Sequence, residues 1–328
     1  MKAVVVDEFG GPESLRLQER PEPTPGPGQV AIDVAYAGVN LADVQARASG
    51  HLVRSLPFAP GLEASGHIRA VGQGVTDLTV GQPVTALTLG GAYAEVVLAS
   101  ATLTFAVPRG LDLRRAATLP VVLPTAHALI HEVGRLHEGD SVLVHSAAGG
   151  VGTVVGQIAR LANAGAIFGV VSRPEKAQYA RQFGYDDIFL ADDFDVRVRA
   201  ATSGRGVDVV LDPVGGETWR RSLDVLAPFG RLVSFGNAAG EQPWTAQFSA
   251  LTPASAGVSG FSISTLAATA PQTLRGVADR AFTLAAEGKV ELPITGDYEL
   301  GEAADAHRLL ESRESTGKIV LRPNGATA

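Results

Sequence analysis

Apolar positions along this chain follow two different periods. In the first third, residues 4–6, 15–18, 30–36, 67–71 and 93–98 form short runs that are β-branched or alternate apolar with polar. Clusters rich in proline and glycine, at residues 21–28 and 72–74, separate them. Short strands broken by such turns predict a β-rich region that closes into a small or partly open barrel. From Pro124 the texture changes. Residues 141–145, 167–171, 188–190, 207–211 and 232–235 read as short buried strands. Between them Val151, Val154, Val155, Ile158 and Leu161 recur at helical spacing, and residues 174–183 and 217–226 read as helices, the first with Pro174 in its opening turn. Strands alternating with helices predict a parallel, doubly wound sheet. A helix over 272–287 and a strand over 318–321 are expected to return to the first region; two sequential domains are the alternative. The expected boundaries are 1–123, 124–267 and 268–328.

Composition narrows the function classes. The 328 residues suit about two domains, and 45% hydrophobic with 19% charged residues allows a packed core. A net charge of −7 without basic runs argues against a nucleic-acid partner, which needs clustered cations. The absence of cysteine excludes disulfides, thiolate zinc sites, iron–sulfur clusters and a cysteine nucleophile. Asp7 interrupts the start too early for a signal peptide, and the apolar run 116–130 holds Pro120 and Pro124 and is too short to span a bilayer. The chain reads as soluble and cytoplasmic, with no membrane partner.

The clearest chemical signal is the run Val142-Leu143-Val144-His145-Ser146-Ala147-Ala148-Gly149-Gly150-Val151-Gly152. It sets a glycine turn directly after a strand and before an amphipathic helix, as a dinucleotide fingerprint requires. Gly149 lets the backbone approach a pyrophosphate, Gly152 lets the helix pack on the sheet, and the helix N-terminus offers free N–H donors. Ala147 stands at the first glycine position of the pattern. About 20 residues on, where an NAD site places an acid for the ribose hydroxyls, the chain has Ser172 and Arg173, with Lys176 one turn later. That cationic pocket suits the extra phosphate of NADPH.

Taken together, these features resemble the medium-chain dehydrogenase/reductase superfamily, and within it the zinc-independent quinone oxidoreductases. The resemblance is carried by residues 9–13 (FGGPE), 37–43 (AGVNLAD), 136–144 (LHEGDSVLV), 207–215 (VDVVLDPVG), 230–237 (GRLVSFGN) and 316–321 (TGKIVL), in this order over nearly the whole length. It implies an α/β chain in which a GroES-like β-rich catalytic domain is interrupted by a Rossmann domain, with the active site between them. It implies that Asn40 and Thr125 lie near the nicotinamide and that Ala148, Gly149, Gly150 and Val151 hold the pyrophosphate. Ser172 and Lys176 would hold the adenosine phosphate, Val214, Phe235, Gly236 and Asn237 would line the nicotinamide-ribose end, and Lys318 would reach the cofactor from the C-terminal segment. Gln45 and Leu190 stand where bacterial relatives place tyrosines.

Other chemistries fit less well. Zinc-dependent members of the superfamily place cysteine where Asn40 stands and Gly-His-Glu where Gly61-Leu62-Glu63 stands. His127 and His131 share a helix face but lack a third ligand, and Ala128 stands where a zincin has glutamate. His51 and His67 are isolated. Ser146 lacks the glycine-flanked elbow of a hydrolase nucleophile. Asp43 reads first as a helix-start carboxylate favoured by the dipole. The expectation is an NADPH-dependent reductase of quinones or activated enones, acceptors whose reduced form is already stabilised. An enoyl-thioester reductase and a noncatalytic NADPH-binding protein are the alternatives. Similar proteins pair the edge strand expected near residues 256–263 across a two-fold axis, which implies a homodimer through the Rossmann domain.

Overall fold

The computed structural model describes residues 1–240 and 245–323. The chain divides into two units: residues 1–124, 264–288 and the described residues from 292 onward form the first, and the described residues of 125–263 with 289–291 form the second. The strand-rich first third and the C-terminal segment thus share one unit.

In the first unit, β-branched runs build a seven-stranded sheet in the order Ile294–Glu299, Lys318–Arg322, Gln29–Val39, Glu63–Val71, Pro83–Leu87, Thr104–Ala106, with Val96–Ser100 also paired to Gln29–Val39. A separate antiparallel pair joins Lys2–Val6 to Leu15–Glu19. Gln29–Val39 organises the sheet: it pairs antiparallel with three strands, and shifts of register near Ala31 and Val34 bend it. Its inward residues Val30 and Ile32 meet Ile68, Val84, Val97, Ile319 and Leu321 in one core, closed by Leu300, Ala303 and Ala306. The strand expected over 93–98 begins only at Val96. Tyr93 turns inward instead, fully buried, with its N–H on the Pro60 carbonyl and its carbonyl on the Val4 N–H.

The second unit is a six-stranded sheet in the order Asp187–Leu190, Ala166–Val171, Ser141–His145, Val207–Asp212, Leu226–Ser234, Gly257–Gly260, every neighbouring pair parallel. Ser141–His145 is buried throughout, which explains its unbroken apolar middle. Phe194, Val198 and Trp219 from the helices Phe194–Ala201 and Gly216–Asp224 pack on Leu143, Val210 and Leu232. Strand order reverses at Ser141–His145, so the crevice beside its carboxyl end is where such a sheet binds ligands. The helix expected over 174–183 is shorter: a 3-10 turn, Pro174–Lys176, leads into Ala177–Arg181, and Gly184 in a left-handed conformation (φ 94°) turns the chain away. The apolar run 116–130 folds as the helix Leu119–His127 and a π-helical turn, Ala128–Val133. Among the described residues no helix is long and apolar enough to cross a membrane.

Candidate cofactor site and buried polar cluster

The strand Ser141–His145 runs into Ser146, whose φ of 56° turns the chain sharply toward the helix Gly150–Leu161. A Cβ on Gly152 would stand 2.4 Å from the Ser146 carbonyl oxygen and 2.7 Å from the Ala147 Cα. Helix and turn therefore meet at a distance that only glycine allows. Gly149 is less confined, its nearest contact being 3.3 Å. The first amide of the helical ladder is that of Thr153, bonded to the Gly149 carbonyl at 2.8 Å. The N–H groups of Gly150, Val151 and Gly152 precede it and lie outside the ladder, at the positive end of a 12-residue helix. The Tyr185 hydroxyl donates to the Gly152 carbonyl at 2.6 Å and anchors the first turn from behind. His145, beneath the turn, is buried with Nε2 2.8 Å from the Ser222 hydroxyl. Burial, and then the charge of Arg221, push this imidazole down to about 3, so it is neutral at pH 7.

Ser172 and Arg173 follow the second strand and are exposed, while Lys176 is half-buried. Leu190 lies in register with Val171 on the neighbouring strand, the residue just before this polar cluster. After Val207–Asp212 the chain turns through Gly215 and Gly216, with φ of 77° and 57°. Asp212 shapes that turn: its Oδ1 accepts the Val214 N–H at 2.6 Å and the Gly215 N–H at 3.2 Å. Burial pushes its carboxyl up to about 6, against the pull of those two N–H groups. Residues 235–239 fold back on the turn. Phe235 N–H donates to the Asp212 carbonyl, Ala238 N–H to Pro213 and Ala239 N–H to Val214. Gly236 packs so closely that a Cβ would stand 2.8 Å from the Pro213 carbonyl oxygen. Val214, Phe235, Gly236 and Asn237 are thereby brought together. Thr125 is buried, and its hydroxyl has no hydrogen-bond partner among the described residues.

In the first unit, Asn40, Glu63 and Lys318 stand at the ends of three adjacent strands, where Gly38 is in register with Glu63 and Val39 with Ile319. The Lys318 ammonium donates to the Val39 carbonyl at 2.8 Å, to Asn40 Oδ1 at 2.7 Å and to Glu63 Oε1 at 2.7 Å. All three of its donors are engaged, so it reaches Asn40 rather than open space. Asn40 Nδ2 donates to Glu63 Oε1 at 3.0 Å, and Glu63 Oε2 accepts the Val121 N–H at 2.8 Å. Asn40 also caps the helix Leu41–Ser49, whose Asp43 accepts the Asn40 N–H at 2.9 Å and the Gly61 N–H at 3.0 Å. Tyr93 joins Asp43 (3.5 Å) to the buried His307 (3.1 Å). Neither the pairing of Asn40 with Glu63 and Lys318 nor that of Asp43 with Tyr93 and His307 was drawn from the sequence. Glu63 was marked only as part of Gly61-Leu62-Glu63, displaced from a zinc motif, and Lys318 only as a residue reaching the cofactor.

The two histidines of the expected pair, His127 and His131, have ring centroids 4.6 Å apart. Among the described residues no group of three or more histidine, aspartate or glutamate side chains is placed to hold a metal ion. His51 and His67 are exposed.

Residues 26–109 match the alcohol dehydrogenase GroES-like domain family, and residues 183–321 match the zinc-binding dehydrogenase family. The chain is 35% identical to a quinone oxidoreductase of Pseudomonas aeruginosa over 98% of its own length and 99% of the relative's. It is 35% identical to a synaptic vesicle membrane protein VAT-1 homolog of Danio rerio (98% of this chain, 69% of the relative) and to a 2-haloacrylate reductase of a Burkholderia species (98% of each). A mycobacterial protein complexed with NADPH superposes with a TM-score of 0.92 at 36% identity, covering 98% of this chain and 100% of that one. Escherichia coli quinone oxidoreductase complexed with NADPH gives a TM-score of 0.92 at 29% identity over the same shares. The zinc of the second family's description does not fit the donors here. The chain has no cysteine, and both carboxylate oxygens of Glu63 are taken up by Lys318, Asn40 and the Val121 N–H.

Proposed function

The chain belongs to the quinone oxidoreductases of the medium-chain dehydrogenase/reductase superfamily, and we propose that it reduces quinones or other electron-poor acceptors with NADPH and without zinc. The observation that carries the reading is the turn from Ser146 to Gly152. The close approach at Gly152 and the free first-turn amides form a cradle for a pyrophosphate at the reversal point of a parallel sheet. The residues present fit NADPH in two further respects. Ser172, Arg173 and Lys176 supply a hydroxyl and two cations where the adenosine phosphate would fall, and the buried Thr125 hydroxyl has no hydrogen-bond partner among the described residues.

In this reading Ala148, Gly149, Gly150 and Val151 hold the pyrophosphate. Val214, Phe235, Gly236, Asn237 and Thr125 receive the nicotinamide-ribose end, and Asn40 meets that ribose or the acceptor oxygen. When bound, the cofactor supplies a hydride from its nicotinamide ring. The protein's part is to orient, to exclude water and to offer a hydrogen bond to the oxygen that gains charge. A single neutral amide is a modest polariser. It favours acceptors that stabilise their own reduced form, such as quinones, and α,β-unsaturated acids of the kind that the Burkholderia relative is named for. Mixing the protein with NADPH and a panel of quinones, enones and 2-haloacrylate tests this. Steady NADPH oxidation with at least one class supports it; tight NADPH binding with no turnover on any would instead mark a noncatalytic NADPH-binding protein.

A further inference from the structure

We propose that Glu63 and Lys318 are positioning residues that lock the Asn40 amide in one orientation and strengthen it as a hydrogen-bond donor. This rests on the reading that Asn40 meets the ribose or the acceptor. Lys318 is 4% and Glu63 0% exposed, so this ion pair has left water almost completely. A buried pair of this kind is a poor source of stability, because desolvation offsets most of the attraction. Its geometry points to another use. The ammonium sits on Asn40 Oδ1 at 2.7 Å and the carboxylate on Asn40 Nδ2 at 3.0 Å. Turning the amide over would set its N–H groups against the ammonium and its oxygen against the carboxylate. Both contacts repel, so one orientation is held.

The three side chains are placed by backbone alone, from the ends of three strands in fixed register. Gly38 leaves room for the carboxylate: a Cβ there would stand 2.3 Å from Glu63 Oε1. Asp43 holds the Asn40 backbone N–H at 2.9 Å, so main chain and side chain are fixed from two sides. Among the described residues the amide then has one Nδ2 hydrogen uncommitted. A cation on Oδ1 draws electron density from the amide and makes that hydrogen a stronger donor. A strengthened, fixed donor suits an oxygen that gains negative charge as hydride arrives.

The test is a mutant cycle. Lys318→Met alone would leave Glu63 buried and unpaired, so the paired variant Glu63→Gln with Lys318→Met is compared with Asn40→Ala and with the triple variant. kcat is read at saturating NADPH on the best acceptor, with the melting temperature alongside. Asn40→Ala is expected to lower kcat by about tenfold or more, the paired variant by a similar factor, and the triple variant by no more than either. If the paired variant does not fold, Glu63→Gln alone enters the same cycle with the same expectation. Losses that multiply in the combined variant, with Asn40→Ala itself impaired, would overturn the positioning role and leave the reading of Asn40 standing. Wild-type kcat in Asn40→Ala would overturn both.

Discussion

Asp43 stands in an environment that its sequence neighbourhood does not announce. As the third residue of the helix Leu41–Ser49 it is a helix-start carboxylate, as its position alone suggests. The fold adds burial, and burial pushes its carboxyl up to about 7. The Asn40 and Gly61 N–H groups and Lys318 pull it down, and Glu63 pushes it further up. The native state therefore binds a proton there, between about pH 4 and about pH 7, that the unfolded chain has released. Stability measured against Asp43→Asn should fall as pH rises through that window and level off above it. Denaturant titrations of both proteins at pH 5 and pH 8 check this; a gap equal at the two values would contradict it. Asn40 was legible from its loop motif, and Asn40→Ala should lower turnover about ten- to a hundredfold while changing stability less. The partners that hold it were not legible. Lys318 and Glu63 lie 255 positions apart in the chain, and only the strand register brings them together.

At the scale of elements, the glycine turn was readable because strand, turn and helix are contiguous in sequence. Gly152→Ala should weaken NADPH binding and lower the melting temperature together, since the new methyl meets the Ser146 carbonyl and Ala147 backbone. Gly149→Ala, with its nearest contact at 3.3 Å, should be the milder change. Fluorescence titration with NADPH and thermal melts separate the two, and equal effects would refute the account of the turn. The polar cluster after the second strand carries its own expectation. NADPH should be preferred over NADH by at least about tenfold in kcat/KM, and Lys176→Ala should reduce that ratio. Elements that depend on distant pairing were harder to read. Pro83–Leu87 and Thr104–Ala106 are short strands that earn their place only by pairing with Glu63–Val71 and with each other. Tyr93 was read as strand because its neighbours alternate, yet it is buried by contacts with Pro60, Asp43 and His307.

At the scale of the molecule, the change of texture near Pro124 was visible as a switch from period-two to mixed patterning, and the contacts divide the chain at Pro124 and Thr125. Gly257–Gly260 forms one edge of the six-stranded sheet, shorter than the run 256–263 because Ile263 already begins the helix Ile263–Thr269. An edge strand with open backbone groups favours pairing with a second copy, and the expected state is a homodimer. Light scattering at micromolar concentration checks it, and a monomer mass would reject it. Reduction of an activated acceptor by NADPH is expected to need no zinc. This is tested most directly by the rate of NADPH oxidation with a quinone after exhaustive chelation. Steady turnover unchanged by the chelator is expected; turnover that vanishes on chelation and returns only with added zinc would rule out zinc-free reduction.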